Sequence, residues 1–171
     1  MKTFSFPFLL ALTFAACVQY ETPKADTTPA LDLYAQINAA SIKYDSVFAA
    51  KLGSDDYGMR QYVMAFLKRG PNRSQDSLTA ANLQKTHLEN IIRMANDGTL
   101  VLAGPFMDDG EIRGIYVFDV KTVEEARALT ETDPAIKAGR LAMDLHPWYG
   151  PAALPLITPL HKRLEKRSVA D

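Results

Sequence analysis

The chain is nearly without cysteine: Cys17 is its single thiol in 171 residues. One cysteine excludes an intramolecular disulfide framework and any zinc cluster built on thiolates. An excess of either charge is also missing, with 19 lysines and arginines against 20 aspartates and glutamates and a net charge of −1. Nucleic-acid binding wants a basic excess, so no nucleic-acid partner is expected. The three histidines, His87, His146 and His161, have no spacing such as H-x-x-x-H, so no metal and no cofactor is expected. Phosphate-cradling GxxxxGK and GxGxxG loops are absent, as is a nucleophile elbow. Long hydrophobic runs are missing too: Phe4 to Ala16 falls short of the roughly 20 residues a membrane-spanning helix needs. What is present is 47% apolar residues, enough for one packed core with some chain to spare.

The apolar run at the start is preceded by one charge, Lys2, and ends in Phe14-Ala15-Ala16. A positive charge, a short apolar segment and small residues form the layout of an export signal, expected over residues 1–16. Cys17 directly after the small residues resembles a bacterial lipoprotein signal, in which the cysteine thiol is acylated. The implied location is the cell envelope, with the membrane as a partner through a lipid anchor on Cys17. Several acyl chains would hold stably, at about 0.8 kcal/mol per buried methylene. Phe14 departs from that pattern, where leucine is commoner. An ordinary signal with an unrelated cysteine is the alternative. Removing residues 1–16 removes only Lys2 among the charges, so the remainder stays slightly acidic.

Residues 17–29, polar and carrying two prolines, read as a tether. Residues 30–58 form an N-terminal extension. In it Leu33, Ile37, Ala40, Tyr44, Phe48 and Leu52 share a helical stripe that Gly53 ends. The main domain is expected over 60–150, followed by a tail over 151–171. Tyr62–Leu67 reads as a strand, Thr79–Asp97 as the main helix and Thr99–Ala103 as a second strand. Asp108-Asp109-Gly110 is a hairpin signal before a third strand at Ile112–Asp119. Thr122 and Glu125 form a capping box opening another helix. Asp133-Pro134 opens a short helical turn, and Leu141–Leu145 is a fourth strand closed by His146-Pro147.

The order βαββαβ is that of the ferredoxin-like α+β fold, a four-stranded antiparallel sheet with both helices on one face. The first two strands are apolar on both sides, whereas a sheet with one wet face should alternate. The second face therefore needs a cover: a second copy, the N-terminal helix or the tail.

The stretch from Tyr62 to Pro147 resembles the YCII-related (YciI-like) family. The resemblance rests on an ordered set: YVMAFLKRGP, His87-Leu88, Gly98-x-Leu100-x-x-Ala103-Gly104-Pro105, Glu124-Glu125-Ala126, Asp133-Pro134, Ala138-Gly139 and His146-Pro147-Trp148. It implies a dimeric α/β barrel, hence a homodimer, and a His–Asp pair at a cleft. A few relatives look like small-molecule lyases acting on hydroxylated aromatic rings, and muconolactone-isomerase-like proteins share the wider barrel. The export signal and helical extension lie outside that core.

His87 matches the family's helix histidine and shares a stripe with Leu83, Ile91 and Met94, so it faces the sheet. In a partly dry site it could serve as a general acid or base. A core histidine bonded to backbone is the plain alternative. Asp133 is the implied partner, a carboxylate that would fix the imidazole tautomer. Asp before Pro is also explained as an N-cap worth about 1 kcal/mol. The two roles coexist only if one carboxylate oxygen is left for His87. Lys68, Arg69 and Arg73, around the loop after the first strand, are candidates for holding an anionic small molecule, against the alternative of a solvated basic loop. Arg113 and Asp144 read as rim residues or a cross-strand pair. The expected function is a cofactor-independent enzyme of lyase or isomerase type using His87 and Asp133. The contrasting reading is a non-catalytic ligand-binding or assembly module of the cell envelope.

Overall fold

The computed structural model describes residues 43–170. The expected signal, the tether, Cys17 and most of the predicted N-terminal helix lie outside the described residues. Asp45 is extended and accepts the N–H groups of Val47 and Phe48, so the helix α1 spans only Ser46–Lys51. The apolar stripe predicted one helix from residue 30 to Leu52; residues 43–45 are not helical, and the cap at Asp45 opens the helix there.

The remaining elements follow in the order β1 (Met59–Arg69), α2 (Ser77–Asn96), β2 (Leu100–Pro105), β3 (Ile112–Phe118), α3 (Val123–Thr130), α4 (Pro134–Lys137) and β4 (Leu141–Pro151). A 3-10 turn (Leu154–Leu156) and α5 (Ile157–His161) follow. The strands form one antiparallel sheet in the order β2-β3-β1-β4. This is an α+β, ferredoxin-like arrangement.

Caps set the helix limits. Asp76 accepts both the N–H and the hydroxyl of Thr79, which opens α2 two residues earlier than its apolar stripe suggested. Thr122 and Glu125 close their capping box at the head of α3. β4 does not stop at His146-Pro147. Pro147 pairs with Val63 inside a strand that continues to Pro151. Proline is tolerated there because β4 is an edge strand, where a missing donor breaks no ladder.

Alternation on β1 separates two cores. Val63 and Ala65 face the helices and pack with Met94, Leu100, Tyr116, Phe118 and Ala126. Burying Met94 or Phe118 contributes roughly 1.5–3 kcal/mol each. Tyr62 faces the other way and packs with Val101, Val117, Trp148 and Leu154. The Tyr62 hydroxyl donates to the Pro151 carbonyl at 2.9 Å. The tail thus covers one end of the second face, through Leu154. Met64, Phe66 and Ile115, further along that face, remain half-buried.

Candidate functional site

The site is built where α2, the turn before α4 and β3 meet. His87 lies on the sheet-facing side of α2 and is 5% exposed; Asp133, just ahead of α4, is 1% exposed. Pro134 supplies the fixed φ of a first helical residue, which leaves Asp133 extended as the cap. One carboxylate oxygen, Oδ1, accepts the Ala135 N–H at 2.8 Å. The other, Oδ2, lies 2.5 Å from His87 Nδ1. The preceding residue is anchored to α2: the Thr132 hydroxyl bonds Asn90 Oδ1 at 3.1 Å and accepts from Arg93 at 3.0 Å.

An ionised carboxylate only accepts, so the proton of the pair sits on Nδ1 and Nε2 is left as an acceptor. The Tyr116 hydroxyl lies 3.3 Å from Nε2, and its ring stacks on the imidazole with an interplanar angle of 18°. Burial, and then the charge of Asp133, pushes the Tyr116 phenol far above its ordinary value. It is a neutral donor at physiological pH. Asp133, His87 and Tyr116 therefore form one line of hydrogen bonds, ending at a wall of the main cleft.

That cleft has a volume of about 860 Å³ and follows the free edge of β2, between α2 and the tail. Its size suits a small organic ligand. His87 and Tyr116 line it, with an aliphatic wall from Leu88, Ile91 and Leu102 and a tail side that includes Ile157. Lys162 of the tail bonds Asn96 on α2, which helps hold the far wall.

Arg69, Arg73, Arg113 and Arg140 line the same cleft. Two close approaches of backbone bring the loop after β1 to the start of β4. Gly70 donates to the Arg140 carbonyl and Asn72 to the Gly139 carbonyl, both at 2.9 Å. A Cβ on Gly70 would stand 2.2 Å from the Gly139 oxygen, so only glycine fits. Gly139 takes φ +67°, the left-handed turn that closes α4. Arg73 then donates to the Arg140 carbonyl at 3.1 Å. Partial desolvation, followed by the charges of Arg140, Arg69 and Arg113, lowers the Arg73 guanidinium from its ordinary value.

Lys68 departs from the expected basic loop. It points to the opposite face of the sheet, where its Nζ lies 2.5 Å from Asp144 and 3.8 Å from Glu111. Alternation explains the separation, because neighbours on a strand face opposite ways. Arg69 and Arg73 do reach the cleft, while Cys17 lies outside the described residues. Tyr116 and Arg140 went unremarked in the sequence. Tyr116 was detectable from alternation on β3, once Phe118 is taken to face the helices. Arg140 depends on the glycine contact at Gly70, which has no local signal. Among the described residues, no group of three or more His, Cys, Asp or Glu side chains could hold a metal ion, and no helix is long and apolar enough to cross a membrane.

The family model for the YCII-related domain matches residues 62–148, about half of the chain. The chain belongs to the YCII-related family. The matched span of this YCII-related protein contains His87, Asp133, Tyr116 and all four arginines of the cleft. The tail residues that form the cleft's far wall lie beyond it. No curated protein matches the chain.

Proposed function

We propose that this YCII-related protein is a cofactor-independent small-molecule enzyme of lyase or isomerase type, with His87 as its acid–base group and Asp133 as the residue that orients it. The observation that carries this reading is the 2.5 Å bond between His87 Nδ1 and Asp133 Oδ2, made while Oδ1 separately caps α4. A carboxylate held in this way fixes the imidazole tautomer and stabilises the imidazolium formed when Nε2 takes a proton. Nε2 belongs to a residue lining a cleft of ligand size, and basic side chains share that cleft.

A second reading, a ligand-binding module of the cell envelope without turnover, is favoured by one feature. The Tyr116 hydroxyl already occupies Nε2, and His87 is almost wholly buried. In the first reading the substrate displaces that hydroxyl; in the second it never does. Export through residues 1–16, with a lipid anchor on Cys17, is part of the proposal and is supported by the apolar segment ahead of the lone cysteine. A homodimer is proposed as well, supported by the half-buried Met64, Phe66 and Ile115 on the second sheet face.

The test is a metabolite screen by thermal shift, followed by turnover assays on each stabilising compound. Loss of turnover in His87→Gln with ligand binding retained supports the enzyme. Ligands that bind wild-type protein and are never converted favour the module. Export is tested by fractionating cells that express Cys17→Ser. Release of that variant from the membrane fraction is expected, and unchanged membrane retention contradicts the anchor.

A further inference from the structure

The chain as a whole is balanced in charge, yet the cleft is not. Its lining contains five basic side chains, Arg69, Arg73, Arg113, Arg140 and Lys162, and one acidic side chain, Glu165. Glu165 stands on the tail and pairs with His161 at 3.7 Å. Among the described residues, the only carboxylate within ion-pair distance of any of the four arginines is Asp109, at 3.8 Å from Arg69 and 3.6 Å from Arg113. Asp109 is 95% exposed and serves both. Among the described residues, Arg73 and Arg140 have no carboxylate partner. Arg73 donates instead to the Arg140 carbonyl, and Arg140 to Gln75 Oε1, both neutral oxygens. Placing guanidinium groups side by side is unfavourable, and Arg73 feels the other three charges. An anion between them would relieve that repulsion and accept paired N–H bonds in the fork geometry that arginine presents. Beyond this cationic end, the same cleft offers the aliphatic surface of Leu88, Ile91, Leu102 and Ile157.

We propose that the cleft takes an organic acid with an apolar body. Its carboxylate is held by Arg73 and Arg140, and its hydrocarbon part lies along α2 and β2 beside His87. This names the ligand class for the site proposed above and rests on that site being the ligand cleft, but not on His87 being catalytic. Lys68, on the other face of the sheet, has no part in it.

The experiment is calorimetric titration of the full chain with octanoate below its micellar concentration, alongside octan-1-ol and inorganic phosphate. Octanoate is expected to bind at least about tenfold more tightly than either comparator, because only it satisfies both ends of the cleft. Arg73→Gln and Arg140→Gln are each expected to weaken octanoate about tenfold or more, and Lys68→Gln to leave it unchanged. Unliganded melting curves check that the variants are folded. Replacing Leu88 by Gln, at the apolar end, supplies an independent arm and should weaken octanoate while leaving phosphate as weak as before. Octan-1-ol or phosphate binding as tightly as octanoate overturns the proposal, and so does octanoate affinity unchanged in both arginine variants. Turnover by the wild-type chain separates the two levels. If octanoate binds but neither it nor any acid of its class is converted, that defeats only the catalytic reading and leaves the ligand class standing.

Discussion

Asp133 divides its carboxylate between two duties, holding the Ala135 N–H with Oδ1 and His87 Nδ1 with Oδ2. The division separates a structural role from a positioning one within one side chain, and substitutions can remove them one at a time. Asp133→Asn keeps an oxygen for the cap and presents an amide to Nδ1. The imidazole must then carry its proton on Nε2, the wrong tautomer for a base facing the cleft. The expected result is a folded protein with turnover lowered by orders of magnitude and ¹⁵N histidine shifts reporting the tautomer change. Asp133→Ala removes both bonds and should cost about 2–4 kcal/mol in chemical denaturation, the sum of a lost cap and a buried imidazole left short of a partner. Equal turnover in wild type and Asp133→Asn would remove the orienting role and leave the cap.

Tyr116 supplies the second test of the buried line. Tyr116→Phe deletes the hydroxyl beside Nε2 and leaves that nitrogen without its partner. About 1–3 kcal/mol of stability should be lost. In His87→Phe the hydroxyl instead loses its acceptor. The double variant should therefore be more stable than the sum of the two singles predicts, with a coupling of at least about 0.5 kcal/mol. Strict additivity by urea denaturation would mean the two groups do not interact.

Element order was legible because caps and turns are local. Asp133-Pro134, Thr122 with Glu125 and Asp108-Asp109-Gly110 each act within a few residues, and each stands at an element boundary. The apolar character of both faces of β1 likewise implied that the second face has a cover, and Leu154 covers part of it. Three things escaped. Pro147 inside β4 depends on that strand lying at the sheet's edge, a fact of topology. The separation of Lys68 from Arg69 needs the phase of the strand, because a basic pair looks like one patch until alternation divides it. Arg140 joins Arg73 only through the contact of Gly70 with Gly139, 69 residues further on. A net charge of −1 averages this clustering away.

Gly70→Ala tests that contact. The added methyl would meet the Gly139 carbonyl, and one backbone must move. Thermal denaturation should show a loss of about 1–3 kcal/mol, as for other overpacked sites. The displaced loop carries Arg73 away from Arg140, so octanoate affinity should fall with stability. Wild-type melting together with wild-type affinity would contradict the tight approach.

Lys68 and Asp144 face each other on the sheet surface, and their titrations shift in opposite directions. The hydrogen bond from Lys68 lowers the Asp144 carboxyl, and the one to Asp144 raises the Lys68 ammonium. The sign follows from which form folding favours. Asp144 adds stability above the ordinary carboxylate range, lost as pH falls through its lowered value. Lys68 adds stability below the ordinary lysine range, lost as pH rises through its raised value. Both contributions are present at neutral pH. Because Asp144 is exposed and Lys68 partly so, they are small and screened by salt. Lys68→Met should therefore flatten the acid limb of stability against pH slightly at low salt and have no effect at 1 M salt. An acid limb identical to wild type at low salt would show that the pair contributes nothing.

The second face of the sheet gives the last prediction. Met64, Phe66 and Ile115 are only half-buried there, and Phe66 meets His146 edge-on at 5.6 Å between ring centroids. If two copies stack these faces, as the proposed homodimer requires, Phe66 becomes part of a desolvated contact. A glutamate at that position would then bury a charge with no partner, a change that strongly disfavours association. Phe66→Glu should therefore elute and scatter light as a monomer at concentrations where the wild-type chain is a dimer. Its monomer should stay folded, because Phe66 lies outside the helix-side core built on Val63, Ala65 and Phe118. Ala142→Glu, on the same face beside Lys68, provides a milder version and should raise the dimer dissociation constant without abolishing assembly. Wild-type protein that sediments as a monomer at 100 times the concentration of a typical specific dimer's dissociation constant, about 1 μM, rules out the stacked pair. In that case the half-buried face is covered by other parts of the chain or left to solvent.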